Sequence, residues 1–234
     1  MQLEAGIRRV RVERAHLAVK LESIHFPLDL EDLADLLKGR NYKMMGLPQS
    51  GVPQLPSGMR LAVTGQLAQS QDGACIVSTF PERGIIALDG RELGRVVDEF
   101  RYIEDSVKHD LVLDWDSRVG FYEIVLDAII TVSADRNPIA EIGMLHDQSD
   151  VLKDLSSILG FQATLYGLRL VQKGQSPGEN SWMELRVEPA VTKPGTDYLV
   201  NVVHRDKNRA SVLDHPDELL NKAMAVVHWL KRGA

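Results

Sequence analysis

The sequence predicts an α+β fold, a largely antiparallel sheet with helices on one face. Three observations carry that expectation. Segments alternating with period 2 come in consecutive groups, as hairpin-connected strands do. Segments with apolar residues every three to four positions are bounded by capping residues and Gly. The order of these elements repeats between the first and second halves of the 234 residues.

The first strand is IRRVRVERAHLAVKLE, residues 7–22. Val10 and Val12 share one parity, and Ala15, Leu17, Val19 and Leu21 the other, so a bulge is expected near Glu13 and Arg14. Over 29–38, Leu30, Leu33, Leu36 and Leu37 recur at helical spacing behind a capping Asp29, and Gly39 ends the run. Residues 46–58 hold three Pro and several Gly and Ser, which mark a long loop. Strands are expected at 59–67, 74–80 and 84–88, with a hairpin at Asp72-Gly73. Asp89 and Glu92 have capping-box spacing before a helix to about Lys108, whose stripe is Leu93, Val96, Val97, Phe100, Ile103 and Val107.

Residues 109–120 read as the connection between halves. A long strand follows, with Tyr122, Ile124, Leu126, Ala128, Ile130 and Val132 on one face. A helix over 147–159 starts at Asp147 or Ser149 and stops before Gly160. Its expected core face is Val151, Leu152, Leu155, Ile158 and Leu159. Strands are expected at 162–173, 181–191 and 197–204, then a turn, RDKNR, and a short strand at 209–213. The last helix is expected from Asp214, with Pro216 in its first turn and Lys231 and Arg232 at its negative end.

The two halves therefore read as a tandem duplication of a β-α-β3(4)-α unit: 1–109, a connector at 110–119, and 120–234, joined in one continuous sheet. Met59-Arg60-Leu61-Ala62-Val63 parallels Met183-Glu184-Leu185-Arg186-Val187, Gly73 parallels Gly195, and Leu88-Asp89 parallels Leu213-Asp214. This element order resembles the tandem, saddle-like fold of the TATA-box-binding proteins, without a sequence motif of that family. The acidic charge speaks against carrying over their DNA binding. The closing elements, with Tyr166-Gly167-Leu168-Arg169, also look like a widespread prokaryotic family of unknown function, and bring no functional residues with them.

Composition narrows the function classes. The chain is 44% hydrophobic and 26% charged, the balance of a folded soluble protein. No run is apolar enough for a membrane span, and the first residues lack a signal-peptide core, so a cytoplasmic location is expected. Cys75, the single cysteine, excludes an intrachain disulfide. Net charge is -6. Residues 1–117 carry 14 Lys and Arg against 18 Asp and Glu, and 118–234 carry 13 against 15. A dedicated nucleic-acid binder would be basic.

No phosphate-binding glycine loop, nucleophile elbow or HExxH zinc motif occurs. None of His16, His25, His109, His146, His204, His215 and His228 is four residues from another on a helix, although distant ones such as His25 and His146 could meet. Arg8, Arg9, Arg11 and Arg14, with Arg205, Lys207 and Arg209, are candidate anion-binding clusters, against the ordinary reading of solvated surface. Asp110, Asp114 and Asp116 are candidate ligands for a divalent metal in a phosphoesterase, against solvated acids in a connector. Asp127 interrupts an apolar strand. Tyr122, Tyr166, Trp182 and Tyr198 fall in strands, where they serve packing or, on an open face, base stacking. Cys75 has no neighbouring His and reads as a packing residue.

The sequence thus points first to a non-catalytic binding or assembly module without cofactor, whose partner is another protein or itself as a homodimer. Contacts are expected at the 46–58 loop and the 204–209 turn. Nucleic-acid association through the basic clusters is the alternative, and metal-dependent phosphoester chemistry the third.

Overall fold

The computed structural model describes residues 4–22, 27–45, 65–111, 114–145 and 150–231. The expected 46–58 loop, the start of the 59–67 strand, His25, His146, Asp147 and Ser149 lie outside them. The architecture is α+β; among the described residues there are nine strands and six α-helices in the order β1 (Ile7–Leu21), α1 (Leu30–Gly39), β2 (Tyr42–Met44), β3 (Gly65–Ser70), β4 (Cys75–Phe80), β5 (Ile85–Gly90), α2 (Leu93–Asp110), β6 (Val119–Val132), α3 (Pro138–Met144), α4 (Asp150–Leu159), β7 (Leu168–Val171), β8 (Trp182–Pro189), β9 (Asp197–Asp206), α5 (Arg209–Leu213) and α6 (Asp217–Leu230). The antiparallel sheet has strand order β2-β3-β4-β5-β1-β6-β9-β8-β7.

The chain divides into two units that interleave in sequence. One comprises 14–124 with 205–214, and the other 1–13, 125–204 and 215–234.

In the 14–124 unit, register brings like side chains into rows. Leu17 of β1 stands beside Leu88 of β5, which stands beside Val77 of β4, and Val19 stands beside Ile86. All are buried. Leu33 and Leu37 of α1 and Val96, Phe100 and Ile103 of α2 complete this core. The Asp29 carboxylate caps α1 by accepting from the Glu31 N–H at 2.8 Å, as its position predicts. The left-handed residue after the helix is Asn41 rather than Gly39. The Asp72-Gly73 hairpin is present, with Gly73 at φ 72°.

In the other unit, β6 alternates as its sequence demands. Leu126, Ala128, Ile130 and Val132 are buried, and Asp127, Ile129 and Thr131 on the other face are half-buried. Tyr198, Val200 and Val202 of β9, Leu185 and Val187 of β8, and Leu220, Ala223 and Val227 of α6 share the core.

Several expectations are corrected. Asp89 does not cap α2: it belongs to β5, and α2 starts at Leu93 behind Glu92, which makes no side-chain cap bond. Residues 209–213 form the short helix α5, because the Asn208 side chain caps it through the Ala210 N–H at 3.0 Å. The last helix starts at Asp217, leaving Asp214 to bond Arg101 at 3.2 Å. The 162–173 strand shrinks to Leu168–Val171. Helix α3 was not expected, although Asn137-Pro138 is a cap followed by the favoured first helical residue, and Asn137 accepts from the Ile139 N–H at 3.1 Å.

A 3-10 turn over Pro81–Arg83 ends at Gly84, φ 67°, whose carbonyl accepts from the Leu21 N–H at 2.7 Å. A Cβ on Gly84 would lie 2.4 Å from the Leu21 carbonyl oxygen. Gly84→Ala is therefore expected to lower unfolding stability by roughly 2–4 kcal/mol, through positive φ and backbone overlap. Gly178→Ala, with nothing near its added Cβ, should change it by less than about 0.5 kcal/mol. Urea unfolding of both variants checks the pair.

Candidate functional site

In each unit a buried carboxylate on a helix gathers polar side chains from other elements. In the 14–124 unit it is Glu104 of α2, without exposure. The Tyr122 hydroxyl donates to it at 2.7 Å, Arg209 Nε donates at 2.7 Å, and Lys108 Nζ lies at 3.2 Å. Trp115 Nε1 donates to the Tyr122 oxygen at 3.1 Å. Burial, and then the Glu104 charge, push the Tyr122 phenol up, so it stays a donor. In the other unit it is Glu141 of α3. Arg136 donates to both its oxygens, from Nε at 2.8 Å and from Nη2, which also reaches the Val227 carbonyl at 2.7 Å. The Tyr198 hydroxyl donates to Glu141 at 2.6 Å. Burial raises the Glu141 carboxyl, but the hydrogen bonds from Arg136 and Tyr198 outweigh it and hold the group below its ordinary range. The Tyr122, Arg209 and Tyr198 donors and two of the three Arg136 nitrogens are occupied by protein, so these networks tie helix to strand, while the buried Arg136 Nη1 has no hydrogen-bond partner.

The basic candidates are not gathered into an open anion site. Arg8, Arg9 and Arg11 are exposed on β1, with Arg11 paired to Glu13. Arg14 donates to Asp89 at 2.8 Å, and His16 Nδ1 lies 3.0 Å from the same oxygen. Arg205 donates from Nε to Glu123 at 2.8 Å and lies over the Phe121 ring at 4.4 Å. Arg209 is bound to Glu104, and Lys207 is exposed. The charges of Arg14, Arg205 and Arg209 are thereby matched within the chain.

The acidic candidates also separate. Asp110 is the last residue of α2. Asp116 pairs with Lys108 at 2.9 Å, and the Asp114 carbonyl accepts from the Ser117 hydroxyl at 3.2 Å. Among the described residues no group of three His, Cys, Asp or Glu could hold a metal ion. Asp127 accepts from Asn201 Nδ2 at 2.7 Å. Cys75 is buried and burial pushes its thiol up, which suits packing rather than nucleophilic attack. Tyr122, Trp182 and Tyr198 are buried, and Tyr166 is half-exposed.

The unexplained feature is α4. Three of the five residues of its expected core face stand outside the core, and the Val151 side chain is not among those described. Leu155, Leu159 and Ile158 are exposed, the last at 78%. At roughly 100° per residue, Leu152, Leu155, Ile158 and Leu159 form one stripe. Only its edge, at Leu152 and neighbouring Ser156, is half-buried. The Ser156 hydroxyl donates to the Leu152 carbonyl at 2.8 Å and accepts from the Ala163 N–H at 2.9 Å. That pair of bonds ties the helix to the chain that follows it. Phe161, at 63%, Tyr166 and Leu170 are exposed as well. Scattered single apolar residues on a surface need no explanation, whereas an apolar helix face in water does.

The chain matches no protein-family model, and no curated protein matches it significantly. No helix among the described residues is long and apolar enough to cross a membrane.

The depressed Glu141 carboxyl sets a pH dependence. Its contribution is full above the unfolded carboxylate range and is lost as pH falls through the folded value. Glu141→Gln should flatten the stability loss between about pH 5 and pH 3. Glu141→Ala, which strands buried Arg136, should cost about 3–5 kcal/mol at pH 7. Chemical unfolding across pH measures both, and an unchanged acid limb in Glu141→Gln contradicts the assignment.

Proposed function

We propose that the protein is a non-catalytic assembly module that binds another polypeptide through the outward stripe of α4 and its continuation at Phe161. The single observation that carries this is an amphipathic helix whose apolar side faces solvent at Leu155, Ile158 and Leu159. Leu155, Ile158 and Leu159 lie on one side of the helix, so their exposed side chains form a set rather than isolated apolar residues, and Phe161 two residues on is exposed as well. This surface takes the place of the 204–209 turn as the expected contact, because Arg205 and Arg209 are held internally. The strand order also supports reading the halves as copies of one unit. Each pairs its first strand with its last, β1 with β5 and β6 with β9, and continues outward through the preceding strands.

Two substitutions test the reading. Ile158→Asp with Leu159→Asp should leave monomer stability within about 1 kcal/mol, because exposed positions contribute little to folding. A photo-reactive phenylalanine analogue at position 155 should form protein adducts in the source cells, and the double substitution should abolish them. A loss of several kcal/mol would place the stripe in the core, and adducts no more abundant than from exposed Val191 would remove the binding role.

A further inference from the structure

We propose that Arg136 and Lys231 bind a single halide ion, chloride in its natural setting, beside Gly6. All three residues belong to the unit of 1–13, 125–204 and 215–234. The site is independent of the α4 surface.

The Arg136 side chain is only 1% exposed. Its Nε and Nη2 donate to Glu141, so Nη1 is the nitrogen turned away from that carboxylate. The ion pair is neutral as a whole but presents its positive end at Nη1. Nη1 is buried and meets no acceptor among the described residues. A guanidinium carries donors only, so an acceptor alone can satisfy it. Buried donors in folded proteins are nearly always met by protein, by water or by an ion.

Gly6 marks the place of that acceptor. A Cβ built on Gly6 would lie 3.5 Å from Arg136 Cδ, 3.7 Å from Arg136 Nη1 and 3.7 Å from Lys231 Nζ. Two cationic nitrogens thus flank the side of the backbone on which any other residue carries a carbon. The glycine is fixed in this pose. Its φ is 81°, its carbonyl accepts from the Ser133 N–H at 3.0 Å, and the Ala5 carbonyl accepts from His228 Nδ1 at 3.0 Å. Neighbours at 3.5 to 3.7 Å leave room for a single atom, which suits a halide and not a phosphate or carboxylate. Lys231 has charge to give. It meets Asp135 at 3.3 Å, but both side chains are largely in water, where such a pair is weak. An ammonium, like a guanidinium, only donates, and a halide only accepts, so one ion satisfies both nitrogens. A water there would bring hydrogens of its own towards two cations.

The test is chloride NMR on the full chain, because the chloride signal broadens when the ion exchanges onto a slowly tumbling protein. The parent chain should broaden it, and added bromide should reverse the broadening by competition. Lys231→Met should reduce the broadening at least threefold. Lys222→Met, the same change of charge at an exposed position of α6, should leave it as in the parent. Lys231 lies outside the core, so its variant keeps the fold, and an unchanged urea midpoint in chloride-free buffer verifies that. Bromide soaked into crystals of the full chain should then give an anomalous peak between Gly6, Arg136 Nη1 and Lys231 Nζ. No broadening by the parent chain, equal broadening by the Lys231→Met and Lys222→Met variants, or a water in place of the bromide peak overturns the inference.

Discussion

A carboxylate taken out of water must be met by donors, and that requirement organises each unit. Burying an unpaired ion costs several kcal/mol, so Glu104 and Glu141 are stable only where every neighbouring donor converges on them. Glu104 draws Tyr122 from β6 and Arg209 from α5 onto α2. Glu141 draws Arg136 and Tyr198 of β9 onto α3, and Arg136 also reaches the backbone of α6. Apolar contact fixes how much surface these helices bury. The hydrogen bonds fix where along the strand each helix sits, because a shift of one residue would strand a charge.

The same requirement explains what remains for function. Arg14, Arg205 and Arg209 carry charge a nucleic acid could use, but each is committed to a carboxylate of its own unit. Asp116 is likewise committed to Lys108. Helix α4 has no buried ionic tie of this kind among the described contacts. It is held by a hydroxyl and its short connection, and its apolar stripe points into water. An apolar helix face is more stable when another surface covers it.

The α+β class, β1, α1, β4, β6, β8 and β9 were legible because burial on one face writes its period directly into the sequence. Ala15, Leu17, Val19 and Leu21 on β1, and Leu126 to Val132 on β6, show it most clearly. Boundaries were less legible where one residue type serves two purposes. Asp89 has the spacing of a helix cap, yet its carboxylate receives Arg14 and His16 from the next strand, 75 and 73 residues away in sequence. RASVL reads as a strand by its β-branched content, but Asn208 supplies the cap that starts a helix. The exposure of α4 was hidden for a deeper reason. Periodicity shows that α4 has an apolar stripe, but not whether the stripe meets the core of its own unit, which is a matter of tertiary packing. The convergence on Glu104 and Glu141 was hidden likewise, because its members are up to 105 residues apart.

The central claim is that the outward stripe of α4 is a contact surface, and the reactivity of its side chains reports this directly. Hydroxyl-radical labelling of Ile158 and Phe161 in intact source cells, normalised to exposed Val191, should fall several-fold below that of the purified chain. Equal labelling in cells and in the purified chain would contradict the account.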